Sequence, residues 1–428
     1  MRIFSILLAF ALLSGCVSHE KDPKKLFVGA SEFSITPEPG AYIAGGKNNR
    51  IIKGVHDSLF VKALVLSDDS VSIAFLSFDC IGLLYPTLQE IRKEAALRIP
   101  DKDLNPSNIV MSSTHTHSGP DVVGIWGPDP LTSGVDSIYM KNLVNTSVKA
   151  ILAALKKRQP AIIKYAVTEH GEDWVFNISD SANLDRSLSI LQFENTEGKS
   201  IATLTNFACH PTIMDGATDL VSGDYVGAMY NYLDQKFGGV NLFIQGAIGG
   251  WVQPEYEKKR FDNAKNRGEE LGRAVEVALR EPKIMNSSKL SYRALDIKLP
   301  VSNEGFRQLS AAGVIERDIV DSVVTELAWF TIGDAQFVTH PGETTPTHSF
   351  ETKKLMQNHG PKFVIGLGMD ALGYILTPDF YDQDAKLKHT GYLTYMSIDK
   401  NAGTIMMEGI RKLTAESTEN MNASLDKL

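Results

Sequence analysis

Segments with the periodicity of an α-helix alternate along this chain with short apolar runs typical of β-strands, and this alternation limits the folds open to it. Helical periodicity is present at residues 85–99, 137–157, 225–237, 258–279 and 401–413. At least one strand-like run separates each helical segment from the next. The pattern predicts an α/β fold, in which mixed β-sheets are flanked by helices as a layered sandwich.

The strand-like runs are short and mostly apolar, as expected for strands that are largely buried. They are at residues 26–35, 59–66, 71–78, 108–112, 162–167, 188–193, 201–208, 240–245, 290–299, 326–332 and 336–339. A chain of 428 residues that is 43% hydrophobic can bury a large core, as one large domain or two smaller ones. The polar residues 416–428 predict a frayed tail.

The N-terminus has the features of an export signal. Arg2 precedes an apolar run over residues 3–13, which is shorter than a membrane-spanning helix. The run ends in Leu-Ser-Gly-Cys at residues 13–16, which resembles a bacterial lipobox. We therefore expect a lipoprotein signal peptide at 1–15, lipidation of Cys16 and a tether at 16–26. An ordinary cleaved signal peptide is the alternative.

Charge and cysteine content restrict the partners and the compartment. The net charge of −8 argues against nucleic acid and anionic lipid head groups as partners. Membrane contact is expected only through the lipid anchor, which places the protein in the cell envelope, at the periplasmic face or the outer membrane. Cys80 and Cys209 lie in apolar segments, either as two buried thiols or as one disulfide.

Ligand-type side chains follow three of the predicted strands. His115 and His117 come directly after the run at 108–112, and His210 follows the run at 201–208. His340 and Glu343 follow the run at 336–339 in the same way. Loops at strand ends are where a rigid α/β scaffold holds a reactive site. We expect a functional site at these strand ends.

The His-x-His pair is compatible with zinc, which imidazole and carboxylate groups commonly bind. On extended backbone the rings of His115 and His117 would point to the same side, so that one or both could bind metal. The alternative is a pair of hydrogen-bonded structural histidines. His340 is expected to be a hydrogen-bonding partner of a ligand or a packed residue.

Three blocks resemble the neutral, non-lysosomal ceramidase family. They are Ser-Thr-His-Thr-His-Ser-Gly-Pro at 113–120, Asn-Phe-Ala-Cys-His-Pro-Thr at 206–212 and Pro-Gly-Glu at 341–343. Their order and separation match the family, and weaker similarity extends the likeness over most of residues 27–415. The resemblance implies one catalytic domain over 27–415, without the C-terminal immunoglobulin-like domain of the longer ceramidases.

The resemblance also implies roles for individual residues. His115, His210, Glu343 and Tyr374 match the family's zinc ligands, although Tyr374 could instead be an aromatic packed beneath a loop. His117 would lie beside the nucleophile, to move a proton or bind the developing oxyanion. Tyr392 matches a later tyrosine that could supply a second donor. Gly45 and Gly46 resemble a glycine that lines the substrate pocket.

The implied reaction is zinc-dependent cleavage of the amide bond of an N-acylated lipid such as ceramide. Two segments depart from the family pattern: Asn177-Ile178 stands in place of an Asn-Arg pair, and Gly-Trp-Val-Gln-Pro at 250–254 in place of Gly-Asp-Val-Ser-Pro. Both concern substrate recognition, so a related hydrolase acting on another amide, ester or lactone, including one derived from a glycan, is the first alternative. A non-catalytic lipid- or glycan-binding surface lipoprotein is the second.

Other sequence patterns provide weaker evidence about function. The glycine-rich segment at 246–250 lacks the lysine of a phosphate-binding loop and is better explained as a tight turn. Serine-esterase chemistry is not favoured, because the sequence has no Gly-x-Ser-x-Gly elbow at a strand-to-helix junction. Trp126 and Trp251 either line an apolar or sugar-binding cleft or serve as packing anchors.

Overall fold

The computed structural model describes residues 26–255, 259–357 and 359–425. The predicted signal peptide, the lipidation site at Cys16 and most of the tether lie outside these residues. The described helices are α1 (Tyr85–Arg98), α2 (Ser137–Lys156), α3 (Asp224–Lys236), α4 (Phe261–Ala278), α5 (Glu304–Ala311), α6 (Pro346–Leu355), α7 (Thr390–Tyr395) and α8 (Ala402–Leu425).

Strands make up two main sheets and three small ones. The described strands are β1 (Leu26–Ser34), β2 (Gly54–Val55), β3 (Phe60–Ser67), β4 (Ser72–Phe78), β5 (Ile109–Ser113), β6 (Gln159–Glu169), β7 (Val175–Asn177), β8 (Ser187–Asn195), β9 (Ser200–Phe207), β10 (Leu220–Val221), β11 (Val240–Gln245), β12 (Val252–Pro254), β13 (Lys283–Ile284), β14 (Leu290–Pro300), β15 (Ser322–Ile332), β16 (Ala335–Thr339), β17 (Glu343–Thr344), β18 (Lys362–Ile365) and β19 (Tyr374–Ile375).

The larger main sheet has nine strands, in the order β11-β9-β8-β6-β1-β3-β4-β5, with β13 paired to β6. Both ends of the sheet are parallel pairs, β11 with β9 and β4 with β5, and the pairs between them are antiparallel. The hydroxyl of Ser77 on β4 donates to the carbonyl of Phe243 on β11 at 2.7 Å. The sheet therefore curls until its two ends meet.

A second sheet has the order β14-β15-β16-β18, and β18 is parallel to β16. Its β18 end abuts both ends of the first sheet. The amide of Gly366 donates to the carbonyl of Gln245 at 2.8 Å, and the hydroxyl of Ser112 donates to the carbonyl of Gly366 at 3.1 Å. The C-terminal ends of β5, β11 and β18 thus converge at one seam between the sheets.

Helices cover the sheets and bury their apolar faces. Helix α2 packs on β1 and β3, α3 packs on β11 and pairs with α4, and α8 packs on β14 and β15. The apolar stripe of α2 is entirely buried at Leu143, Val144, Val148 and Ile151, which is why its periodicity was readable from the sequence. The α/β fold with mixed sheets and flanking helices is confirmed.

Apart from the last helix, the predicted long elements agree with the structure to within a few residues. The elements that were not predicted are the helices α5, α6 and α7, the strand β18 and the shortest strands, of two or three residues. Helix α5 has only eight residues, and none of its side chains is fully buried. The last helix continues to Leu425, beyond the predicted 401–413 and into the segment assigned to the polar tail.

Cys80 and Cys209 are both buried free thiols, so of the two alternatives the disulfide is excluded. Burial raises the pKa of Cys80 to about 12, which leaves it an inert core residue. Within the described ranges, none of the helices combines the length and the apolar character needed to span a membrane.

Candidate metal centre

Gln245, at the end of β11, joins the two loops that carry the histidines. Its side-chain nitrogen Nε2 donates to the carbonyl of Thr114 and to the carbonyl of Cys209, both at 2.9 Å. Thr114 precedes His115 and Cys209 precedes His210, which lie 95 positions apart in the chain. One fully buried amide therefore fixes the spacing of two imidazole-bearing loops.

The prediction that the His-x-His pair lies on extended backbone is wrong. Strand β5 ends at Ser113, and His115 has the left-handed conformation, with φ of 71°. The rings nevertheless lie close together. The centroids of His115 and His117 are 4.9 Å apart, and those of His115 and His210 are 5.0 Å apart. A left-handed non-glycine residue is costly and is retained where its surroundings impose it, commonly at functional sites.

Backbone carbonyls fix the tautomers of His115 and His210. The Nδ1–H of His115 donates to the carbonyl of Ile81 at 2.5 Å, and the Nδ1–H of His210 donates to the carbonyl of Val252 at 2.6 Å. A carbonyl can only accept, so each Nδ1 carries a proton and Nε2 of each ring is directed toward the cluster. This orientation, with the second nitrogen bound to backbone, is typical of metal-binding histidines.

Glu343 lies opposite both Nε2 atoms. Its Oε2 is 2.9 Å from Nε2 of His210, and its Oε1 is 3.6 Å from Nε2 of His115. Burial acts to raise the pKa of Glu343, but the adjacent His115 and His210 rings outweigh it and the pKa falls to about 2. Burial lowers the pKa of His115 to about 3, so that at neutral pH this ring is uncharged beside an ionised carboxylate.

These contacts fit a bound cation. Two imidazole Nε2 atoms and a carboxylate share one buried space, and a cation bound between them would compensate the buried negative charge. Ligands of a tetrahedral zinc ion with bonds of about 2.0–2.2 Å lie roughly 3.4 Å apart. The two separations from Glu343, 2.9 and 3.6 Å, fall on either side of that value. Imidazole and carboxylate are common ligands in catalytic zinc sites.

His117 belongs to the same cluster. Ligand-type atoms of His115, His117 and His210 all lie within 4.8 Å of one another, so that this group could hold a metal ion. The Nδ1 of His117 is 3.1 Å from Oδ1 of Asp215. Its buried Nε2 finds no hydrogen-bond partner among the described residues. The geometry leaves that nitrogen available either to a metal or to a reacting group.

Gly45 and Gly46 lie beside His117. Gly45 has φ of 81°, and a Cβ built on it would be 2.5 Å from Cβ of His117. Gly46 has φ of 58°, and a Cβ there would be 2.7 Å from Nη1 of Arg50 and 3.0 Å from Cα of Gly216. These glycines let two loops close around the imidazole, which is a packing reason for them that the sequence did not reveal.

Tyr374 is placed by backbone pairing. Strand β17 pairs in parallel with β19, and Tyr374 lies directly opposite Glu343 in the register. Tyr374 is only 6% exposed. The glycine-rich turn at 246–250 supports this pair, because a Cβ on Gly249 would lie 2.3 Å from the Glu343 carbonyl. The Gly249 amide also donates to the carbonyl of Thr344 at 2.7 Å.

Tyr392 stands at the edge of the centre. Its ring stacks on Trp251 with centroids 5.2 Å apart, and meets Tyr374 edge-on at 6.3 Å. Burial of the hydroxyl, reinforced by the charges of Glu343 and Asp215, raises the pKa of Tyr392 to about 12. The phenol therefore stays protonated at neutral pH and can donate a hydrogen bond. Trp251 belongs to this aromatic wall, whereas Trp126 packs against the main core.

His340 does not join the cluster. Its Nδ1 is 2.7 Å from the hydroxyl of Thr344 and its Nε2 is 3.0 Å from the hydroxyl of Thr352. The ring is fully buried with both nitrogens used. His340 is therefore a packed residue beneath the segment that carries Glu343.

Comparison with known proteins places the chain in a family. A family model described as "Neutral/alkaline non-lysosomal ceramidase, N-terminal" matches residues 28–254, which is more than half of the chain. The chain belongs to the neutral/alkaline non-lysosomal ceramidase family. The matched stretch contains His115 and His210, whereas Glu343 and Tyr374 lie beyond it.

Curated relatives are similar over part of their length. Neutral ceramidase B of Dictyostelium discoideum is 28% identical over 235 residues, which are 49% of this chain and 31% of that protein. Neutral ceramidase of Pseudomonas aeruginosa is 22% identical over 334 residues, 70% of this chain and 49% of that protein. The match thus spans from about a third to a half of the length of these relatives.

The similarity in fold to a solved structure covers more of this chain than the similarity in sequence does. The crystal structure of neutral ceramidase from Pseudomonas aeruginosa superposes with a TM-score of 0.72 at 17% identity, covering 92% of this chain and 75% of that one. This coverage is larger than that of the family-model match, which ends before the second sheet and before the β17–β19 pair that carries Glu343 and Tyr374.

Two residues of the centre were missed from the sequence, Asp215 and Gln245. Asp215 follows the His-Pro block by four positions, in a turn that resembles any other polar loop. Gln245 ends an apolar strand, where a buried amide is unusual, and that position was the one available signal.

Proposed function

We propose that this chain is a zinc-dependent hydrolase that cleaves the amide bond of an N-acylated lipid such as ceramide, giving a fatty acid and a sphingoid base. One observation carries the proposal: the Nε2 atoms of His115 and His210 face the carboxylate of Glu343 in a single buried space. Family membership and the neutral ceramidase names of the relatives support the substrate class.

His115, His210, Glu343 and Tyr374 would hold the ion. When bound, zinc acidifies water and polarises a substrate carbonyl, which is the chemistry that amide hydrolysis requires at neutral pH. The Nδ1–H bonds of His115 and His210 to backbone hold both rings in the ligating tautomer before the ion arrives. The site is thus pre-organised by its own backbone.

His117 and Tyr392 would act on the substrate. The free Nε2 of His117 can take a proton from the attacking water and deliver it to the nitrogen of the leaving amine. The protonated hydroxyl of Tyr392 can donate to the oxygen of the former carbonyl as negative charge develops there. Gly45 and Gly46 would let substrate approach the backbone beside His117.

A second candidate function is hydrolysis of another amide, ester or lactone, including a glycan-derived one. The two segments that depart from the ceramidase pattern are neighbours in this structure: β7 and β12 form one small sheet in which Asn177 pairs with Val252. The amide of Ile178 donates to the carbonyl of Trp251 at 3.2 Å. Both departures therefore alter one wall of the site, next to the carbonyl that orients His210.

Metal analysis with substrate assays tests the proposal. The purified protein is expected to contain one zinc per chain, to lose turnover of fluorescent ceramide on chelation and to regain it with zinc. Intact ceramide with turnover of simpler acyl esters would favour the second candidate. Absence of zinc, with no gain of activity when zinc is added, would contradict both and leave the non-catalytic binding lipoprotein.

The proposed location is the cell envelope, with a lipid anchor on Cys16. The support is the lipobox-like sequence at 13–16. Incorporation of labelled fatty acid into the wild-type protein, and its loss in the Cys16→Ala variant, is the expected result. Labelling of that variant would contradict lipidation at this position.

A further inference from the structure

Asp215 is the acidic partner of His117, and no sequence pattern assigned it a role. Its side chain is 16% exposed, and its Oδ1 is 3.1 Å from Nδ1 of His117. An ionised carboxylate can only accept, so the imidazole must carry a proton on Nδ1 and direct the lone pair of Nε2 toward the cluster.

The loop around Asp215 is itself held from several sides. The amide of Met214 donates to Oδ2 of Asp224 at 2.8 Å, and Nζ of Lys259 donates to the Asp215 carbonyl at 2.6 Å. The Arg50 guanidinium donates to the carbonyl of Thr218 at 2.6 Å and to that of Gly45 at 3.2 Å. Arg50 thereby ties the Asp215 loop to the glycine loop.

Gly45 closes the other side of the ring. Gly45 lies against the His117 side chain. The imidazole therefore has the glycine backbone on one side and the Asp215 carboxylate at its Nδ1 edge. The ring is therefore restrained both in position and in tautomer, independently of His115 and His210, whose Nδ1 atoms bind backbone carbonyls instead.

From this arrangement we infer that Asp215 is a positioning residue for proton transfer by His117. It holds the Nδ1–H tautomer, so that Nε2 faces the reacting group, and it balances the positive charge when Nε2 takes a proton. The proton then leaves from Nε2 to the amine nitrogen, and Asp215 stays ionised throughout. This role rests on the proposed function, since it concerns the hydrolytic step of the same site.

The tautomer can be measured without activity or metal. In zinc-free protein labelled with ¹⁵N-histidine, the His117 ring signals, assigned by their loss in His117→Ala, are expected to show the Nδ1–H tautomer. Asp215→Ala is expected to convert them to the Nε2–H tautomer, and Asp215→Asn, whose amide oxygen still accepts, to preserve Nδ1–H. An unchanged tautomer in Asp215→Ala would overturn the inference.

Kinetics provide the second measurement. Asp215→Ala is expected to lower kcat by about 10–100-fold, within the range for loss of a residue that orients a site histidine, with KM and zinc content little changed and partial recovery in Asp215→Asn. In the His117→Ala background the same change should have no further effect. An equal loss in that background would show a general structural role and overturn the inference.

Asp262→Ala is the matched control. Asp262 is an exposed aspartate whose carboxylate pairs with Arg260 at 3.0 Å. This variant should leave the tautomer and kcat unchanged. If the wild-type protein hydrolyses no acyl substrate at all, the proposed function fails while the tautomer experiment still decides whether Asp215 orients His117.

Discussion

Glu343 and Tyr374 are paired residues of one two-stranded parallel sheet, so that a single short ladder places a carboxylate beside a phenol from a segment about thirty positions further along. The ladder is closed from the side by the 246–250 turn. The position of Tyr374 is therefore set by backbone pairing as well as by side-chain packing.

Tyr374→Phe removes the phenol oxygen and leaves this ladder intact. We expect zinc affinity to fall by at least about tenfold, because even loss of a group that orients a ligand costs about 10–100-fold. Competition with a metal chelator measures the affinity. Tyr392→Phe is the control and should keep zinc while lowering kcat; equal zinc affinity in both variants and the wild type would exclude Tyr374 as a ligand.

Substitution of each of the three clustered histidines should show which of them bind zinc and which acts only in turnover. His115→Ala and His210→Ala are expected to lose zinc, since each removes an imidazole whose Nε2 faces Glu343. His117→Ala should keep zinc and lose turnover. Metal content after dialysis, measured by mass spectrometry, gives the answer, and retention of metal in all three variants would refute the assignment.

Gly45→Ala should displace His117 without changing any of the proposed zinc ligands. The new Cβ would lie 2.5 Å from Cβ of His117, so the imidazole or the loop must move and kcat should fall. The left-handed backbone adds about 1–2 kcal/mol of destabilisation. Gly198→Ala is the control, since it has a similar φ of 76° in open space. It should lose comparable stability with normal kcat; equal kcat in both variants would contradict the contact.

Acid should destabilise the fold through two buried histidines. Burial lowers the pKa of His340 to about 3 and that of His348 to about 4, from 6.5 in an unfolded chain. Their contribution is complete above pH 6.5 and is lost as the pH falls toward 4, because the unfolded chain takes up protons that the folded chain excludes.

The expected loss is about 1.4 kcal/mol per pH unit for each histidine below about pH 5.5. Urea unfolding of the zinc-free protein between pH 4.5 and 7.5 measures it. His340→Gln should flatten the pH dependence by one such increment. An unchanged slope in His340→Gln would contradict a neutral buried ring.

Trp251 and Gln253 should govern the choice of substrate. Restoring the family pattern with Trp251→Asp and Gln253→Ser removes the ring that stacks on Tyr392. Aspartate tolerates the left-handed backbone, here with φ of 70°, better than most residues. We expect the ratio of kcat/KM for ceramide over a simple acyl ester to rise, while zinc content stays constant. An unchanged ratio would show that this wall does not select substrate.

The sequence revealed the long elements because their burial is periodic. Helix α2 and strand β11 were placed within a residue of their bounds, since the side chains that form their patterns are the ones that are buried. Helix α5 was missed because its eight residues are fewer than the window of about 11–18 residues over which helical periodicity is recognised, although its Phe306 packs against the core.

The site was predicted through residue types at strand ends, together with a family resemblance, and the family is confirmed. What escaped prediction depends on contacts between distant segments. Asp215 meets His117 across 98 positions, and Gln245 reaches Thr114 across 131. No local pattern encodes such pairs. The left-handed turn at His115 escaped as well, because it is held by contacts with a distant segment: the His115 amide donates to the carbonyl of Cys80 and its ring donates to the carbonyl of Ile81.

The seam between the two sheets has a consequence for biosynthesis. His115 and His210 lie in loops that follow strands of the first sheet, and Glu343 and Tyr374 pair in the β17–β19 ladder further along the chain. A growing or truncated chain that stops before Glu343 offers both imidazoles without the carboxylate. In the proposed zinc site, complete coordination therefore requires both parts of the chain, and such a fragment should bind zinc more weakly than the finished protein.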